Sequence, residues 1–164
     1  TTMQGIRPCL TFDGRGEEAV NLYVSAFTNS RITSLVRYEE DAGPMKKGQL
    51  MQAIFEIGGR EFAAMDGGPS FAFSDGISLV ATCDDQEELD QVWAQLTADG
   101  GEEGRCGWCK DRFGVSWQVV PAALGEMMGD PKSGDPGKVM EALLQMNKLD
   151  IATLRAAYQG VAAR

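Results

Sequence analysis

The stretch GEEGRCGWCKDRFGVSWQVVP, residues 101–121, contains a Cys-x-x-Cys motif formed by Cys106 and Cys109. A redox pair of this spacing uses a helix N-terminus to lower the pKa of one thiol, and a zinc site needs two further soft ligands. The stretch instead has the composition of a strand, in which residues three apart point to opposite faces. If the strand is regular, the two side chains diverge, and we expect buried small residues rather than a redox or zinc centre.

The composition of the whole chain disfavours several classes of function. Histidine is absent from the 164 residues, so the usual catalytic base and the commonest metal ligand are missing. A formal charge of −9 and scattered basic residues disfavour binding to nucleic acid. No apolar run approaches the roughly 20 residues that cross a membrane, and the first residues lack the layout of a signal peptide. We therefore expect a cytoplasmic protein whose four cysteines are reduced and partly buried.

The first third of the chain predicts the element order β-α-β-β-β. Apolar residues alternate in the strand segments and recur at helical spacing after Glu17. The pair Gly58-Gly59 stands between two strand segments, which is typical of a two-residue hairpin. The predicted elements are a strand at 6–12, a helix from Glu17, and strands at 31–38, 49–57 and 60–66.

The second third of the chain predicts the same order with shorter parts. Asp84 and Asp85 can cap a helix that ends at Gly100-Gly101. The predicted elements are a strand at 76–83, that helix, strand segments within 102–110, and a strand at 115–121. The chain thus repeats a unit of roughly 50 to 60 residues.

The last part of the chain predicts helices. A short helix follows Pro121, and residues 138–158 form a longer helix candidate in which Asp150 could begin a separate helix. The fold class is therefore α+β: two βαβββ modules that form a curved sheet and a cleft, followed by C-terminal helices. We place all 164 residues in one domain. Its parts are module one at about 5–66, module two at about 76–120 and a helical tail at about 121–160.

Several segments resemble bacterial PhnB-like proteins, which are often labelled 3-demethylubiquinone methyltransferase-like. These segments are RPCLTFDGRGEEAVNLYVSAF, GGPSFAF, CDDQEELDQVWAQL and GRCGWCKDRFGVSWQVVP. The family belongs to the glyoxalase/bleomycin-resistance/extradiol-dioxygenase group, the vicinal-oxygen-chelate superfamily, and the resemblance runs from about residue 5 to 160. It implies paired glyoxalase-like modules around a cleft for a small molecule. Because such modules leave strand edges and an apolar helix face uncovered, we expect a homodimer.

The resemblance also implies where metal-using relatives hold a divalent ion. Gln118 stands at the position of a glutamate ligand, after an Asp-x-x-Gly turn, and Ser78 stands at the position of a histidine. A third position falls near Arg7 or Cys9, and a fourth lies within 60–66, where Glu61 or Asp66 could be anionic. One carboxylate without an imidazole cannot make the usual site, so we expect no metal cofactor. Metal-dependent lyase, isomerase or dioxygenase chemistry is the alternative.

Alternation in the last strand places Ser116, Gln118 and Val120 on one face and Trp117 on the other. Ser78 and Thr82 would join that face, and Gln52 could add a second amide. The candidate ligand-binding residues are Gln118, Ser78, Thr82, Gln52, Ser116, Arg7 and Cys9.

The sequence leaves open whether the protein is an enzyme. A drug- or metabolite-sequestering protein is a further alternative. Without histidine, proton transfer would need another residue type. The sequence does not favour any one of the candidates, which are Glu56, Glu61, Asp66, Cys9 and Tyr38. Actual methyl transfer is not expected, because the paired glycines link strands and open no helix as a nucleotide-binding turn would.

Overall fold

The computed structural model describes residues 4–161. The chain divides into two compact units, one ending at Ala72 and the other beginning at Phe73. Each unit contains one four-stranded sheet. Within residues 4–161, no helix has the length and apolar character needed to cross a membrane.

The first unit folds in the predicted order β-α-β-β-β. Its strands lie in the order β1-β4-β3-β2, with β1 parallel to β4 and the other pairs antiparallel. Gly58 and Gly59 have φ angles of 57° and 80°, which confirms a tight hairpin between β3 and β4. The elements are β1 (Cys9–Phe12), α1 (Gly16–Ala26), β2 (Arg31–Arg37), β3 (Leu50–Ile57) and β4 (Arg60–Asp66).

The second unit repeats this arrangement and then adds three helices. Its strands lie in the order β5-β8-β7-β6, with β5 parallel to β8, so that in both sheets the first strand pairs with the fourth. The repeated modules that the sequence predicts are confirmed. The elements are β5 (Leu79–Cys83), α2 (Gln86–Thr97), β6 (Glu102–Glu103), β7 (Trp108–Lys110), β8 (Ser116–Pro121), α3 (Ala122–Met128), α4 (Pro136–Leu143) and α5 (Ile151–Gln159).

Two predicted strand boundaries are wrong. The strand predicted at 6–12 begins at Cys9, because Pro8 has no N–H to donate to a ladder. The strand predicted at 76–83 begins at Leu79, because the Ser74 hydroxyl accepts the Gly76 N–H at 2.9 Å in a turn.

The helix candidate at 138–158 is divided into two helices, which is the alternative that the sequence left open. Asp150 begins α5, as the sequence suggested: its carboxylate accepts the Thr153 N–H at 2.8 Å.

In the second unit, α2 covers one face of the sheet and leaves the other exposed. Ala81, Cys83 and Val119 are buried with the apolar side of α2, which consists of Leu89, Val92, Trp93 and Leu96. Residues that alternate with them in β5 and β8 stand on the opposite face. We call this opposite face, which carries Val80, Trp108 and Gln118, the open face.

In the first unit, an acid from the last strand holds the first helix in place. Asp66 is 2% exposed, and its two carboxylate oxygens accept the N–H groups of Gly16 at 2.7 Å and Leu50 at 2.8 Å. Since Arg15, the residue before α1, provides no side-chain cap, Asp66 supplies the missing acceptor.

Candidate functional site

The centre of the open face is a hydrogen-bonded pair of uncharged side chains. Gln118 Nε2 donates to Ser78 Oγ at 3.0 Å. In the strand register, Gln118 stands opposite Val80 of β5 on one side and Trp108 of β7 on the other. Val80 is 56% and Trp108 38% exposed. An amide and a hydroxyl are therefore flanked by apolar surface that water can reach.

The orientation of Gln118 depends on the buried acid Asp111. One carboxylate oxygen of Asp111 accepts the N–H groups of Phe113 at 2.9 Å and Val115 at 3.1 Å, which closes the turn before β8. The other oxygen accepts the indole N–H of Trp117 at 2.9 Å. Because Trp117 is held on the buried face, the next residue, Gln118, points to the open face.

The Asp-x-x-Gly turn was predicted from the sequence, whereas the hydrogen bonds of Asp111 were not. A buried tryptophan usually needs an acceptor for its indole N–H, so the pattern of Trp117 six residues after an aspartate could have indicated this role of Asp111.

Ser116 and Lys110 line a hollow of about 240 Å³ beside this pair. Asp75 lies at its rim, where it accepts the Ser116 hydroxyl at 3.3 Å and forms an ion pair with Lys110 at 2.9 Å. The hydrogen bond from Lys110 lowers the pKa of the Asp75 carboxyl, and the same bond raises the pKa of Lys110. The two charges offset each other. Of the predicted residues, Thr82 is exposed and lies two residues beyond Val80 in β5, opposite Val120.

The candidates in the first unit fall into two places. Cys9 and Gln52 line a common hollow of about 300 Å³, together with Val36, Met51, Ala63, Ala64 and Met65. Burial raises the pKa of the Cys9 thiol. Arg7 instead forms an ion pair with Glu61 at 3.0 Å.

Four of the residues considered for the metal-ligand positions form two bonded pairs, one in each unit. Ser78 bonds Gln118 in the second unit, and Arg7 neutralises Glu61 in the first. Asp66, the other anionic candidate, is committed to capping α1. In the part of the chain that the structure describes, residues 4–161, no three His, Cys, Asp or Glu side chains gather in a group that could hold a metal ion. These donor sets do not fit a divalent cation.

The Cys-x-x-Cys stretch is not the regular strand assumed from the sequence. Cys106 has a φ of 59° in a turn before β7, whereas Cys109 lies within β7 and is 3% exposed. Both thiols are free, as are those of Cys9 and Cys83. Burial raises the pKa of Cys109 to about 12, which is the opposite of what a redox thiol needs.

Comparison with known proteins identifies the family. The sequence model of a family described as 3-demethylubiquinone-9 3-methyltransferase matches residues 4–120. A solved structure of a PhnB protein from Bacillus cereus, described with the same methyltransferase name, is 37% identical, with a TM-score of 0.68. The match covers 73% of this chain and 100% of that one. No curated protein sequence matches the chain.

More distant structures share the fold alone. A protein from Pseudomonas aeruginosa is 23% identical, with a TM-score of 0.60, and the match covers 73% of this chain and 98% of that one. The fosfomycin resistance protein FosX from Listeria monocytogenes is 16% identical, with a TM-score of 0.52 and coverage of 76% and 97%.

The family match ends one residue before β8 does, so α3, α4 and α5 lie outside it. Within the match, both modules have the strand order described above, and the predicted α+β class with two βαβββ modules is confirmed. The chain belongs to the PhnB-like family described as 3-demethylubiquinone-9 3-methyltransferase.

Proposed function

We propose that the chain binds a small molecule on the open face of its second unit, through dipoles and apolar contact and without the usual divalent metal. The observation that supports this most directly is the 3.0 Å hydrogen bond between Gln118 and Ser78. These two side chains stand where the resemblance expects a glutamate and a histidine. An amide and a hydroxyl carry no charge to attract a cation, but both can bond a polar ligand.

The hydrogen-bond inventory of this pair indicates the ligand's chemistry. Gln118 uses one amide hydrogen on Ser78, which leaves its carbonyl oxygen as an acceptor and its second hydrogen as a donor. Ser78 accepts that bond and keeps its own hydroxyl hydrogen to donate. Trp108 and Val80 add exposed apolar surface on either side. We therefore propose an uncharged ligand with a flat apolar part and a carbonyl, hydroxyl or amide group.

Methyl transfer, the activity in the family's description, has no support in the local backbone. A nucleotide methyl donor needs a glycine-rich turn between a strand and a helix. Here Gly58-Gly59 joins β3 to β4, and Gly67-Gly68 follows β4 without opening a helix.

Sequestration without turnover is the second candidate, because the acids that could transfer protons have other partners. Glu61 is paired with Arg7, Glu56 with Arg31 at 3.0 Å, and Asp66 with backbone N–H groups. A metal-dependent lyase or isomerase would need free carboxylates. The cytoplasmic location and the homodimer remain predictions of the sequence.

A thermal-shift screen of neutral aromatic amides, hydroxyketones and anionic metabolites tests the proposal. For a neutral hit, Gln118→Ala should weaken affinity about tenfold, since one hydrogen bond contributes about 1 kcal/mol or slightly more. Gln91→Ala, at an exposed position of α2, is the matched control and should leave affinity unchanged. Equal affinity of wild type and Gln118→Ala would remove Gln118 from the site.

A further inference from the structure

The chain that follows α4 returns to the Cys-x-x-Cys stretch. The N–H of Cys106 donates to the carbonyl oxygen of Met146 at 2.8 Å, and the N–H of Gly107 donates to that of Asn147 at 2.8 Å. Both carbonyls belong to the C-terminal segment, which lies beyond residue 120 and outside the family match. The turn that leads into β7 is therefore hydrogen-bonded to a part of the chain that the matched family region does not include.

This turn has a demanding backbone conformation. The Trp108 N–H closes it on the Arg105 carbonyl at 3.0 Å, and Cys106 and Gly107 have φ angles of 59° and 85°. Two consecutive left-handed residues are typical of a type I′ turn, which asparagine and glycine prefer. A cysteine in this conformation is disfavoured. The bonds to the C-terminal segment help to hold it there.

Leu149 supports the same turn by packing. It is fully buried, and a Cβ on Gly107 would stand 3.2 Å from its side chain and 3.0 Å from the carbonyl oxygen of Val119. Val119, in β8, also donates its N–H to the Gly107 carbonyl at 2.8 Å. The turn thus lies between the C-terminal segment and the strand that carries Gln118.

Gln86 at the start of α2 fixes the segment in turn. Its side-chain amide donates to the Leu149 carbonyl at 3.0 Å and accepts the Ile151 N–H at 2.8 Å. An ion pair between Lys148 and Asp90 adds a more exposed contact at 2.9 Å. The segment is therefore bound on both sides, to α2 and to the turn.

We propose that residues 146–149 position Trp108 and so form part of the frame of the ligand site. Trp108 follows Gly107 directly and stands opposite Gln118 in the register. Any freedom in the turn would move the indole that borders both the Ser78–Gln118 pair and the adjacent hollow. The proposal depends on the proposed function only in treating the open face as a ligand site.

The tryptophans make this testable without a ligand. Trp108 is 38% exposed, whereas Trp93 and Trp117 are 4% and 2% exposed, so acrylamide quenching of fluorescence reports chiefly on Trp108. Leu149→Ala should raise the quenching constant and make the Cys106 and Gly107 amides exchange about tenfold faster or more, because local opening becomes easier. Leu149→Met, which keeps most of the volume, should restore both values. The Trp108→Phe variant shows which part of the fluorescence and of its quenching comes from Trp108.

Val139→Ala is the matched control for loss of stability alone. Val139 is a fully buried residue of α4. Its substitution should lower the melting temperature while quenching and exchange at the turn stay at wild-type values. If Leu149→Ala lowers the melting temperature in the same way and leaves both readouts unchanged, the positioning role is wrong.

Gln86→Leu provides a second variant in case Leu149→Ala does not fold. It removes both side-chain hydrogen bonds to the segment and keeps similar volume. Faster exchange at Cys106 and Gly107 is expected, and unchanged exchange contradicts the proposal. Failure here leaves the ligand proposal standing, because no ligand is used. Failure of the Gln118→Ala test likewise leaves the positioning of Trp108 standing.

Discussion

Two uncharged side chains, Ser78 and Gln118, define the candidate site at the scale of single residues. Their types were visible in the sequence, and the strand alternation placed both on one face. Their direct contact at 3.0 Å was not visible, because it depends on the pairing of two strand regions that are 40 residues apart in the chain. The hydrogen bond from the indole N–H of Trp117 to Asp111, six residues earlier, could have been predicted only by looking for an acceptor for that buried group.

The buried cysteines give a prediction about stability at high pH. Burial raises the pKa of Cys83 and Cys109 from the ordinary value of 9.0 to about 12. Between these values the unfolded chain loses the thiol protons while the folded chain keeps them. Stability must therefore fall as the pH rises above about 9, by up to about 1.4 kcal/mol per pH unit for each thiol.

Urea unfolding of wild type and Cys109→Ala between pH 8 and 11 measures this effect. The variant should lose stability less steeply with pH, because one of the two thiols is gone while lysines and tyrosines are unchanged. Val139→Ala, at a buried position of α4 that carries no titratable group, serves as the control and should lower stability while keeping a slope close to that of wild type. Parallel curves for wild type and Cys109→Ala would contradict the account.

At the scale of elements, local signals predicted the helices and the β3–β4 hairpin, and long-range hydrogen bonds decided the rest. The glycine pair and the apolar periodicity are encoded within a few residues, so they could be found from the sequence. The cap of α1 could not, since Asp66 is 50 residues from Gly16. Asp150 did indicate the start of α5, but the hydrogen bonds from the 105–108 turn to the backbone carbonyls that precede α5 could not be predicted. Every residue has a backbone carbonyl, so the residue types do not reveal which carbonyl accepts a long-range hydrogen bond.

The turn at Cys106 gives a prediction at this scale. Cys106→Asn should stabilise the protein by about 0.5 to 1 kcal/mol, because asparagine tolerates the left-handed conformation better than other non-glycine residues. Cys106→Ala is the matched control, since it removes the thiol without relieving the backbone, and it should not stabilise. Denaturant midpoints of the two variants provide the comparison, and equal midpoints would show that backbone strain at this position is unimportant.

At the scale of the whole molecule, the repeat of one βαβββ module is the feature that sequence reasoning recovered best. Each module brings its first and fourth strands side by side. In each unit two of the candidate residues are bonded to one another, Ser78 to Gln118 and Arg7 to Glu61. We predict that neither unit holds the divalent ion of metal-using relatives. The C-terminal helices belong to the second unit and lie outside the region that the family model matches.

Elemental analysis of the purified protein, combined with thermal shift against Mn²⁺, Ni²⁺, Zn²⁺ and Mg²⁺, tests the central claim most directly. We predict substoichiometric metal, no ion-dependent rise in melting temperature, and the same result for Gln118→Ala and Ser78→Ala. One equivalent of a divalent ion that survives gel filtration, raises the melting temperature and is lost in Gln118→Ala would contradict the account.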